Sequence, residues 1–172
     1  VTNDEYRHLP LFCDSFWTKA MLDSFFHLLW GLKTTAIFDI WSIEHIVSGL
    51  SVGHIVKKHH HKQFDKIIGT DHNVHSWHFN LVAVLGVAYA WETIEHYLET
   101  GLAGERVAYW FQGTEFWANR IIADPAMLVL GYVLIRKYPG LVIPARIFSA
   151  VWLLVHIFVF PHSMYLQQWL GI

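Results

Sequence analysis

Charge is the first scarcity. Asp, Glu, Lys and Arg make up only 15% of the 172 residues, against about 25% in an average soluble domain. Neither sign dominates: 12 basic against 14 acidic side chains leave a formal net charge of −2. No basic excess is available to neutralise a phosphate backbone, which excludes a nucleic-acid partner. Cysteine is scarcer still. The single Cys13 excludes an internal disulfide, and also a zinc ribbon or iron–sulfur cluster held by this chain alone. The first 16 residues hold Pro10 and charges of both signs but no apolar run, so a cleaved secretory signal is not expected there and any insertion signal should be a retained helix. There is no Gly-x-Ser-x-Gly, no glycine-rich phosphate loop and no His-Glu-x-x-His. Those absences exclude the serine-hydrolase, nucleotide-using and zincin readings.

Apolar side chains are what the chain has in excess. Hydrophobic residues make up 54% and aromatics 16%, with a mean hydropathy of +0.33. A domain of this length has too little interior to bury that complement behind a polar surface, so lipid is the expected solvent. Four stretches approach the roughly 20 residues needed to cross a hydrocarbon core: 36–56, 79–98, 116–135 and 141–160. The first belongs to an apolar run from Ala20 to Val56, which as one helix would be about 55 Å long and must tilt, protrude or break. Lys33, Thr34 and Thr35 are the expected break, with Asp23 to Leu32 as an interfacial helix. The expectation is an all-α, integral membrane four-helix bundle, with a fifth span left open. Lys57, Lys58, Lys62 and Lys66 in the 57–78 link, and Arg136 and Lys137 after the third span, place those links in the cytoplasm and both termini outside. Trp77, Trp110, Trp117 and Trp169 fall near span ends, as an aromatic belt would.

The few charges inside the spans point to a site. Each costs about 2.5–3.5 kcal/mol on insertion scales and needs a partner or a polar cavity. Asp39, Glu44 and His45 lie in the first span. Glu92, Glu95, His96 and Glu99, at i, i+3, i+4 and i+7, form one stripe of the second. Carboxylates sharing a face repel unless protons, a basic side chain or a metal ion stand among them. Glu44, His45, Glu92, Glu95 and His96 are therefore expected to converge between the first two spans. They form a metal site for iron, copper or zinc, a proton-bearing or substrate-binding polar cavity, or an interhelical hydrogen-bond network without chemistry. Carboxylate–imidazole metal sites do form between the helices of bundles, although adjacent Glu-His pairs can share one ion only if it lies between helices, because neighbouring residues point about 100° apart.

Other features carry open alternatives. Arg120 and Asp124, four residues apart, either pair with each other or let Arg120 turn in to neutralise the glutamate stripe. His156 is either a hydrogen-bonded packing histidine or an axial haem or metal ligand, since His45, His54, His96 and His156 could supply a haem pair. Six of the 13 histidines, His59, His60, His61, His72, His75 and His78, lie in the 57–78 link. His72, His75 and His78 are a second candidate metal group, and the Lys/His run equally suits an anionic lipid surface. Trp41-Ser-Ile-Glu44-His45 before Gly49 echoes Trp91-Glu-Thr-Ile-Glu95-His96 before Gly101.

Asp39-Ile-Trp-Ser-Ile-Glu44-His45-Ile-Val-Ser-Gly49, Trp91-Glu92-Thr-Ile-Glu95, and Asn119-Arg-Ile-Ile-Ala-Asp124 before a Gly131-containing helix resemble the VanZ-like small bacterial membrane proteins over residues 37–136. The chain departs from that pattern at Glu95-His96, at Arg120 and in the His-rich link. The resemblance implies a helical membrane architecture with a polar intramembrane site and a loose association with glycopeptide-antibiotic resistance, and it names no reaction. Two functions stay open on the sequence. One is a site-bearing membrane protein that binds a metal ion or handles protons or a small polar group; the other is a non-catalytic accessory or assembly subunit packed among other membrane protein subunits.

Overall fold

The break expected near Lys33 exists. In the structure, a computed structural model describing residues 12–68, 77–159 and Trp169, helix α1 (Phe12–Leu29) ends before it and α2 (Ile40–Ile68) begins after it. Between them the chain turns back on itself, with Trp30 and Phe38 forming a short bridge and the Gly31 amide donating to the Phe38 carbonyl at 3.1 Å. Asp39 starts α2: its Oδ1 accepts from the Trp41 and Ser42 amides at 2.7 and 3.1 Å. That satisfies backbone donors which a helix N-terminus leaves open.

Helix α3 (Trp77–Glu99) follows. A short α4 (Glu105–Phe111), a single π turn (Asn119–Ala123) running into α5 (Asp124–Lys137), and a 3₁₀ turn (Pro139–Leu141) running into α6 (Val142–Phe158) complete the order. The described residues are all-helical, with no strand. Two boundaries differ from expectation. Helix α2 continues past Val56 through Lys57, Lys58 and the histidine run to Ile68, because lysine is a good helix former and a charged turn can extend out of a bundle. The 99–115 link holds the unexpected α4, set off from α3 by Gly101 and Gly104, both at φ near +95°.

The π turn has a local cause. Pro125 has no amide hydrogen to give the Ile121 carbonyl, so the ladder is interrupted there. Tyr89 on α3 fills the vacancy, its hydroxyl donating to the Ile121 carbonyl at 3.0 Å.

Helices α2 and α5 meet through glycine. A Cβ placed on Gly49 would fall on the Leu128 carbonyl oxygen, and one on Gly131 would fall on the Ile46 carbonyl oxygen. Gly53, one turn on from Gly49, lies against Tyr132. Such small-residue seams bring two helix backbones close enough for dispersion to hold them. Leu50, Val84, Ala88, Leu128, Tyr132, Ile135, Val142 and Ala145 form the apolar core around this seam.

The interior holds many polar side chains beside its apolar core, and the surface carries many large apolar ones. Lys33, Asp39, His45, Asn80, Glu92, Glu99, Glu115, Asn119, Asp124 and His156 are buried, while Phe26, Val82, Ile94, Ile122, Ile143, Ile147 and Phe158 are more than half exposed. Among the described residues one stretch, the 20-residue Pro139–Phe158, is long and apolar enough to cross a membrane, with mean hydropathy 2.0 over an 18-residue window. The other three expected spans do not reach that standard. Helix α5 has only 14 residues, α2 ends in a Lys/His run, and α3 opens on Trp-His-Phe-Asn and closes among glutamates.

Candidate functional site

His45 is the pivot. The capping turn at Asp39 fixes the start of α2 so that His45, one turn in, faces α3 and α5. Its Nε2 lies 3.0 Å from Glu92 Oε1 on α3, and its Nδ1 lies 3.0 Å from the Trp41 carbonyl and 3.4 Å from Asp124 Oδ2 on α5. The carbonyl can only accept, so Nδ1 carries the hydrogen and Nε2 is left to meet Glu92, as a proton donor when charged or through an ion when neutral. Asp124 is placed by the π turn and held by Ser42, whose hydroxyl donates to Oδ1 at 2.9 Å. Glu92 Oε2 and Asp124 Oδ2 are buried and accept no hydrogen bond. His45, Glu92 and Asp124 each offer a ligand atom within 4.8 Å of the others.

A second polar layer adjoins it. The Lys33 ammonium is buried 2.5 Å from Glu99 Oε1, and its carbonyl accepts from the Phe116 amide at 2.8 Å, which ties the α1–α2 turn to the segment before α5. Arg120 pairs with Glu99 Oε2, lies 3.3 Å from Glu115 Oε2 and 3.9 Å from Glu92 Oε2, and contacts His96 Nδ1 at 3.1 Å. Burial first, and then the nearby carboxylates of Asp124, Glu95 and Glu92, push the Glu115 carboxyl far above the ordinary glutamate range, despite Arg120. Glu95, Glu99 and Glu115 form a second group with ligand atoms within 4.8 Å, and Lys33 and Arg120 already occupy its positive side.

The expected convergence is therefore realised in part. His45 and Glu92 meet. Glu44 turns away: its Oε1 accepts from Ser48 at 2.8 Å, and with Glu95 it lines a neighbouring cavity. His96 is exposed and joins Arg120 instead of His45, so the two Glu-His echoes are not equivalent positions. Arg120 and Asp124 do not pair; each turns to a different helix. His156 is fully buried against Trp41, Trp110 and Trp152, with its Nδ1 3.1 Å from the Trp152 carbonyl, which is the packing alternative. Trp110 is part of this aromatic wall. His78 is exposed beside Trp77, and His72 and His75 lie outside the described residues.

Sequence spacing missed three members. Asp124 has Arg120 at local pairing distance, Lys33 falls in the expected break, and Glu115 lies between two expected spans. The signal available for Lys33 was a lone cation inside an apolar run. No protein-family model, curated protein or solved structure matches the chain.

Proposed function

We propose that this is a multi-span membrane protein that holds a divalent transition-metal ion on His45, Glu92 and Asp124. One observation carries the reading. Asp39, Glu92, Glu95, Glu99, Glu115 and Asp124 cluster in the interior, whereas Lys33 and Arg120 are the two fixed cations among them. Both fixed cations are engaged most closely by Glu99, and Arg120 reaches the Glu92–Asp124 side only at 3.9 Å from Glu92 Oε2, so two buried oxygens there are without hydrogen bonds. Uncompensated buried carboxylates are unstable, and a divalent ion beside His45 Nε2 would neutralise them. The Trp41 carbonyl on Nδ1 is the orienting contact such histidines ordinarily make. One nitrogen and two carboxylate oxygens suit zinc or iron better than copper(I), which favours sulfur.

In this reading α2, α3, α5 and α6 are the spans, with apolar side chains turned to lipid, the Lys/His extension of α2 in the cytoplasm and α1 along the interface. The polar interior and apolar exterior support that placement. An accessory-subunit role is favoured by α1, which exposes Met21, Leu22, Phe25 and Phe26 to whatever lies beside it.

Elemental analysis of protein purified in a neutral detergent tests the metal reading. Stoichiometric zinc or iron is expected in the wild type and in a His72→Ala, His75→Ala, His78→Ala triple variant, and much less in Asp124→Asn. Metal that survives Asp124→Asn and disappears with the triple variant would move the site to the link.

A further inference from the structure

A cavity of about 790 Å³ lies between α2, α3, α4 and α6 and meets the proposed metal centre only at His45. Its walls differ in chemistry. On α2 and α3 it is lined by Glu44 and Glu95. Glu44 Oε2 is buried without a hydrogen bond, and among the described residues neither carboxylate has a lysine or arginine within ion-pair distance. On α6 the lining includes Ser149 and Trp152, whose hydroxyl and indole N–H are buried with nothing to donate to. Arg106 of α4 lines the cavity with an exposed guanidinium. Trp41, Trp91 and Trp110 also line it.

Each wall selects a charge. Carboxylates beside indole faces attract an ammonium ion, the more so when alkylated and weakly hydrated. Hydroxyl, indole N–H and guanidinium donors take the oxygens of a phosphate or carboxylate. A ligand of one sign would leave one wall unmatched, and an uncharged one would leave both, with the buried polar atoms unpaired. Val52, Val87, Leu153 and Ile157 complete the lining and suit a hydrocarbon portion.

We propose that this cavity binds the zwitterionic ammonium–phosphate group of an amphiphile. The acids of α2 and α3 hold the ammonium end within the tryptophan rings, and Ser149, Trp152 and Arg106 hold the phosphate end. The site goes beyond the metal reading and shares only His45 with it, so Asp124→Asn removes the metal and leaves this site intact.

The test is titration of the detergent-solubilised full chain, followed by tryptophan fluorescence, with three probes. These are dihexanoylphosphatidylcholine, its anionic counterpart dihexanoylphosphatidylglycerol, and chain-free glycerophosphocholine. The zwitterionic lipid is expected to bind at least tenfold more tightly than the anionic one. Glu44→Gln with Glu95→Gln should abolish that preference, and Arg106→Gln, at an exposed position, should weaken both lipids severalfold. Binding of glycerophosphocholine as tight as that of the lipid assigns a free headgroup as ligand; binding only with chains assigns a lipid. Equal affinity for the two lipids in the wild type, or a preference that survives the double substitution in a protein with unchanged helical circular dichroism, overturns the proposal.

Discussion

Replacing Gly49 by alanine should separate the two helices that define the bundle. The added Cβ would land on the Leu128 carbonyl oxygen, 2.9 Å from its carbon and 3.0 Å from its Cα, where ordinary carbon contacts are about 3.5–4.0 Å. The atoms it strikes are backbone, which cannot rotate aside, so the overpacking cost falls at the upper end of the usual range, about 3 kcal/mol. Alanine returns about 1 kcal/mol through its better helix propensity, which leaves a net loss of about 2 kcal/mol. Gly86 on α3 is the matched control. A Cβ there meets nothing within 4 Å, so Gly86→Ala should gain up to about 1 kcal/mol from propensity alone. Unfolding in mixed micelles, titrated with dodecyl sulfate and followed by circular dichroism, measures both. The reasoning is refuted if Gly49→Ala is as stable as Gly86→Ala, because the α2–α5 seam would then not depend on glycine contact.

Two further outcomes follow from the buried charges. Lys33→Met leaves Glu99 with Arg120 alone, and breaking a buried pair from one side typically costs about 3–5 kcal/mol, so a loss near the lower end is expected in the same unfolding assay; a change below about 1 kcal/mol would mean that the Lys33 ammonium is not buried. Glu115, raised far above its ordinary value of 4.5, keeps in the folded protein a proton that the unfolded chain releases. Its contribution to stability is therefore full below about pH 4.5 and declines as the pH rises from there toward the raised folded value. Glu115→Gln, which mimics the protonated acid, should flatten the fall in stability on the alkaline side, and an identical pH profile for both proteins would contradict the assignment.

How much of this was legible in the sequence depended on distance along the chain. Local patterns were readable: the break at Lys33–Thr35 and the face shared by Glu92, Glu95 and Glu99. Partners set by tertiary packing were not. Lys33 finds Glu99 66 residues away, and nothing in its neighbourhood signals that pairing. Asp124 sits at ideal spacing for Arg120, yet Pro125 forces a π turn and Ser42 captures one of its oxygens, so the local rule loses to the packing of α5 on α2. The Lys/His run read as a link because it is charged, although charge does not stop a helix that has left its neighbours. Ile94 of α3, Leu130 and Val133 of α5, and Ile143, Ile147 and Phe158 of α6 face outward, and no local pattern marks them off from core residues until the buried carboxylates behind them are taken into account.

Cobalt(II) is a sensitive reporter of the proposed centre, because its visible absorption depends on the ligands around it. Titrating metal-stripped protein with cobalt should give a saturable visible band in the wild type, absent from His45→Ala and Asp124→Asn and retained in Glu44→Gln. A spectrum identical to free cobalt in buffer, or a band unchanged by loss of His45 and Asp124, would contradict the assignment of His45, Glu92 and Asp124 as the metal-binding heart of this protein.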